Sequence, residues 1–113
     1  MSLALVDLAH LARYTGGDEE LNAEVLRLFD EQATQLVSQL HAVLDAHDTK
    51  SWKHVTHTLK GAARGIGAFQ LADACAFAEP IDPSDEHHAQ PALKAVARNA
   101  EGVSDFIRTY LSR

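Results

Sequence analysis

One stretch of this chain combines residue types and spacing that could do chemistry: Thr56-His57-Thr58-Leu59-Lys60-Gly61-Ala62-Ala63-Arg64-Gly65-Ile66-Gly67. Trp52, Val55, Leu59, Ala62, Ala63 and Ile66 recur at the period of an amphipathic helix, and that stripe is expected to face a core. At about 100° per residue, His57 falls on the side away from the stripe. Its imidazole is therefore expected in solvent rather than as a satisfied core histidine. Lys53, His54, Lys60, Gly61 and Arg64 stand one or two turns away on the same outward half. No acidic residue occurs between Asp48 and Asp73, although the whole chain has a net charge of −6. A cationic surface around one outward imidazole attracts a negatively charged group. Neutral histidine is a nucleophile near neutral pH, and its nitrogen can accept a phosphoryl group and release it again because the P–N bond is labile. Phosphoryl transfer asks mainly for alignment and charge neutralisation, and Lys60 and Arg64 would supply the charge.

Gly61 is the unusual member of the set. Glycine inside a helix costs about 1 kcal/mol relative to alanine, yet the apolar period continues past it to Ile66, which argues against a simple helix end. A missing Cβ one turn from His57 would let a second protein or a bulky group come close to the imidazole. Two other readings compete. His54 and His57, at i and i+3, with a third ligand from His87-His88, would suit a metal ion, but Lys53, Lys60 and Arg64 repel a divalent cation and no carboxylate lies on that face. A helical adaptor without chemistry explains the apolar stripes and leaves Gly61 and the outward His57 without a reason.

The run His57-Thr58-Leu59-Lys60-Gly61 followed by Gly67 resembles the phosphorylation-site motif of histidine-containing phosphotransfer (HPt) domains: a histidine, a lysine three later, a glycine four later and a second glycine ten later. The motif covers about a tenth of the chain, and helix order and length elsewhere fit as well. The resemblance implies a relay protein that carries a phosphoryl group on His57 between receiver-domain aspartates of a multistep two-component pathway. It implies response-regulator receivers as partners, bringing phospho-aspartate and their own Mg²⁺, and a hybrid histidine kinase upstream. Several relatives carry a glutamine 22 positions after the histidine that hydrogen-bonds the imidazole; the corresponding residue here is Glu79. A carboxylate there would accept the Nδ1–H and leave Nε2 free to attack, or Glu79 would be a solvated residue at a helix end.

The elements that must hold this stretch are all helical. β-branched residues are scattered and period-two alternation is absent. The expected fold is all-α: an antiparallel up-and-down four-helix bundle with a short extra N-terminal helix, in one domain spanning residues 1–113. The first helix is expected over about Val6 to Tyr14, stopped by Gly16-Gly17. Asp18 caps a long second helix to about Ala46, with the stripe Leu21, Val25, Leu28, Phe29, Gln32, Leu36, Leu40, Val43 and Leu44. Asp48 or Thr49 caps the His57 helix, which runs to about Gly67. A fourth helix follows from about Phe69 to Ala78, with Leu71, Ala74, Cys75 and Ala78 facing inward. Pro80 and Pro83 open a loop, and the last helix starts at Ser84 or Gln90, with Pro91 in its first turn and Leu93, Val96, Ala97, Ala100, Val103, Ile107 and Leu111 as its core face, flanked by Phe106 and Tyr110.

Composition narrows the function classes. No apolar run approaches the roughly 20 residues that span a bilayer, and Asp7 and His10 interrupt the first apolar run, which has no basic lead. Cys75 has no partner for an internal disulfide. A cytoplasmic monomer is expected, without nucleic-acid or membrane binding. There is no glycine-rich nucleotide loop, so ATP binding and autonomous kinase activity are not expected.

Overall fold

The computed structural model describes residues 5–113. Five helices follow in order, α1 (Leu8–Thr15), α2 (Glu19–Ala46), α3 (Thr49–Gly65), α4 (Phe69–Ala78) and α5 (Glu86–Leu111). His47 and Asp48 alone separate α2 from α3, so the chain has room only to reverse, and the two long helices run antiparallel. α2 packs on α3 and α5, and α4 packs on the same two from the other side, which closes the four into a bundle; α1 lies against α2.

Aspartate begins three of the helices. Asp7, Asp18 and Asp48 sit in extended conformation and accept the backbone N–H groups of His10, Leu21 and Ser51, which satisfies donors that a helix start leaves unpaired. Gly16 closes α1 in the left-handed conformation at φ 68. α1 itself starts two residues later than the apolar pattern suggests: Val6 is buried ahead of it, and Asp7 takes the cap position. α3 stops at Gly65 rather than Gly67. Gly67 lies at φ 82, and its carbonyl accepts the Asp7 N–H at 3.0 Å, so the segment before α1 is clamped onto the α3–α4 turn.

The core is filled by one inner row from each helix. On α2 the buried residues are Asn22, Leu26, Phe29, Ala33, Leu36, Leu40 and Leu44. Leu21 and Leu28, expected inside, are exposed, and so is Gln32. The two rows lie about 100° apart on the helix. The row with more leucine at its N-terminal end is the outer one, because contact with both α3 and α5 centres the buried face on Leu26 and Ala33. On α4, Ala72 is buried and Ala74 only half-buried. α5 begins at Glu86, between the two expected starts, and adds Ala89 and Ala92 to the core while Ala97, Ala100 and Leu111 stay half-buried. Pro91 falls in its second turn, where it forfeits the bond that a residue there would donate to the His87 carbonyl.

Candidate functional site

Trp52 builds the site from below. Its indole is fully buried, and its Nε1–H donates to the Ala78 carbonyl at 2.8 Å, which ties the end of α4 to the first half of α3. Glu79 is the next residue, so this bond sets it beside His57, five positions beyond Trp52 on α3. Thr56, also buried, returns its hydroxyl to the Trp52 carbonyl at 2.8 Å and leaves no polar atom unpaired beneath the imidazole.

The imidazole stands outward, with its side chain 72% exposed and Nδ1 2.9 Å from Glu79 Oε1. The other carboxylate oxygen of Glu79 accepts from Lys60 Nζ at 3.0 Å. The Lys60 hydrogen bond, aided by that to His57 and opposed by desolvation, holds the Glu79 carboxyl below its ordinary value. Glu79 is thus an ionised acceptor, and the ring nitrogen facing it must be the N–H. That tautomer leaves the lone pair on Nε2, which lies on the far side of the ring. Glu79 is therefore a partner of the imidazole and not a solvated helix end. One turn before Glu79 on α4, burial pushes the Cys75 thiol up to about 12, which disfavours the thiolate.

Lys53, His54, Gly61 and Arg64 all lie exposed on the same helix. A Cβ added at Gly61 would meet no heavy atom within 4 Å, whereas one at Gly67 would come within 2.7 Å of the Asp7 carbonyl oxygen. The first glycine leaves a bare spot beside His57; the second is a packing requirement. His54 is on the flank away from Glu79, three residues before His57 where Lys60 is three after. Among the described residues no three His, Cys, Asp or Glu side chains converge as a metal site, and the structure does not bring His87-His88 to His54 and His57. Beside the α3 end, Leu11, Tyr14, Thr15, Leu21, Val25, Gly65 and Ile66 line an open apolar groove of about 510 Å³, formed partly by the outer α2 row that sequence reasoning assigned to the core. Thr56 is a supporting residue that periodicity did not single out, and for Trp52, which it assigns to the apolar stripe, it is blind to where the N–H goes.

A helical bundle that presents an imidazole among cations, held by its inner nitrogen and bare at its outer one, defines a histidine-bearing carrier. The Hpt domain family model matches residues 24–106, and the chain belongs to that family. It is a histidine phosphotransfer protein of a phosphorelay, and Hpt domains work with histidine kinases and receiver domains. The fold is similar to the crystal structure of histidine-containing phosphotransfer protein B (HptB) from Pseudomonas aeruginosa PAO1, with a TM-score of 0.83 and 23% identity over 99% of this chain and 98% of that one. A comparison with curated proteins gives no match. Among the described residues no helix is long and apolar enough to cross a membrane.

Proposed function

We propose that His57 is the phosphoacceptor and that the protein relays the group between the aspartates of two receiver domains. The observation that carries this is the pairing of Nδ1 with Glu79 at 2.9 Å on a ring that is 72% exposed. In the forward step the Nε2 lone pair attacks the phosphorus of an aspartyl phosphate. The N–P bond forms as the P–O bond breaks, and the aspartate leaves as carboxylate with the electron pair. The ring then carries a positive charge, and its Nδ1–H remains hydrogen-bonded to the Glu79 carboxylate, so no proton has to leave. The reverse sequence loads the next receiver.

Mg²⁺ belongs to the receiver in this reading, and the chain acts as a carrier without kinase activity of its own, fed by a hybrid histidine kinase. The unpaired, buried Cys75 suits a monomer in the reducing cytoplasm. The apolar groove beside the α3 end and the cations of α3 together offer a receiver a contact surface around His57. Incubation with a phosphorylated receiver should label the protein with an acid-labile, base-stable group. His57→Gln should abolish labelling and His54→Gln should keep most of it. An acid-stable label, or loss with His54→Gln alone, would overturn the assignment.

A further inference from the structure

On sequence, Lys60 and Arg64 are both expected counter-charges for the phosphoryl group, but the Lys60 side chain is 15% exposed and its ammonium is committed to Glu79 Oε2 at 3.0 Å. The charge on Nε2 develops on the opposite edge of the ring from the nitrogen that Glu79 holds. Taking His57 as the phosphoacceptor, we propose that Arg64 is the cation that meets the phosphoryl group, reaching it across the bare backbone of Gly61, while Lys60 is a positioning residue that acts through Glu79.

Three observations carry this. First, His57, Gly61 and Arg64 lie on one column of α3: steps of four and seven residues turn the helix to within about 40° of the starting direction. Second, side chains on a helix lean toward its N-terminus. His57 shares this lean; Arg64, two turns beyond it, follows it along the helix surface toward the imidazole, whereas Lys53, one turn before it, points on toward the N-terminus of α3. The rise of about 10 Å between the two Cα levels is covered by an extended arginine on one side and a phosphoryl group on the other. Third, Arg64 is exposed, and none of the ion pairs among the described residues uses it. Nothing within 4 Å inside the fold demands glycine at position 61, so the bare spot serves something that lies over the helix surface. A guanidinium fork matches phosphoryl oxygens in pairs and stays charged at any working pH.

The test uses the whole chain, phosphorylated chemically with phosphoramidate, and follows the phosphohistidine by ³¹P NMR as pH is varied; loss of the resonance in His57→Gln assigns it. A nearby cation favours the phosphoryl dianion and lowers its second ionisation. Arg64→Gln should therefore move that ionisation up by about 0.5 pH unit, with Arg64→Lys between the two. Lys60→Met should leave the phosphoryl titration in place and instead move the Glu79 carboxyl titration upward, read by ¹³C NMR. An Arg64→Gln titration that superimposes on the parent, or a Lys60→Met shift of the phosphoryl ionisation as large as that of Arg64→Gln, overturns the proposal. A titrating resonance of the parent protein that His57→Gln leaves in place at the same shift and intensity defeats the phosphoacceptor assignment itself, and is recognisable before any titration is made.

Discussion

His57 is not the only imidazole here with its Nδ1 against a carboxylate. His88 Nδ1 lies 2.8 Å from Asp85 Oδ2 with 67% of the side chain exposed, close to the arrangement of His57 on Glu79. What separates the two is the charge around them. His88 stands among Asp82, Asp85 and Glu86 with no lysine or arginine from Ser84 to Ala92, whereas Lys53, Lys60 and Arg64 surround His57. An incoming phosphorylated aspartate is repelled at the first and attracted at the second. His88→Gln should thus label at the parent rate with a phosphorylated receiver, and a loss of more than about half the rate would show that the acidic setting is no barrier. The pH behaviour of Glu79 follows from the same contacts. Its carboxyl is held below the ordinary 4.5, first by Lys60 and then by His57. A depressed folded value means that its contribution to the fold is complete above the ordinary carboxyl value and is lost as pH falls through the folded one. The acceptor on Nδ1 therefore stays charged across the neutral range, and the transfer-rate profile above about pH 5.5 should show no inflection that Glu79→Gln removes.

At the scale of elements, two glycines of α3 and its following turn make opposite demands. Gly61 has space around it, so Gly61→Ala should raise stability by up to about 1 kcal/mol while slowing transfer, and Gly61→Gln should slow it further. Gly67→Ala should lower stability by about 1 to 3 kcal/mol, because φ 82 is strained for alanine and a Cβ would press on the Asp7 carbonyl. Thermal melts with receiver-transfer rates on the same samples separate the two; a melting temperature that rises for both would remove the distinction. Only part of this was legible in the sequence. The cap at Asp18, that of α3 to within Asp48 or Thr49, and the limits of α4 were, because a capping side chain and a proline act within a few residues of where they stand. The need for glycine at 67 was not, because it comes from the backbone of Asp7, far away in the chain. The inner row of α2 was read correctly at Phe29, Leu36, Leu40 and Leu44 and misread at its N-terminal end for a related reason: Leu21, Val25 and Leu28 make a good apolar line, and only the positions of α3 and α5 decide that Leu26 and Ala33 are the ones inside. In the site, His57 and its cations could be read from periodicity, whereas the Trp52 bond that brings Glu79 to the ring depends on the packing of α4.

The molecule as a whole is acidic, yet the face that carries His57 is cationic, and the two facts act on a partner at different distances. Far from the surface the net charge of −6 dominates; near α3 the local cations do. Raising the salt from about 50 to 500 mM should reduce the bimolecular rate of transfer from a phosphorylated receiver several-fold by screening the near field, and Lys53→Glu should lower the low-salt rate and flatten its salt dependence. Stopped-flow mixing at subsaturating receiver measures both, and a salt-independent rate in the parent protein would remove steering from the account.

The open side of the imidazole has a consequence for kinetics as well. In the relay proposed above, a receiver that delivers and a receiver that collects both have to reach Nε2 of His57 on a single helix, so they need the same patch and cannot sit on it together. Each turnover alternates between two binary complexes, which is a ping-pong scheme: reciprocal plots against one receiver at fixed levels of the other should be parallel. An excess of either unloaded receiver should inhibit the other by occupying the carrier. Flow through the relay is then governed by the ratio in which the two receivers are present, and a shift in their relative abundance changes throughput with no change in any rate constant.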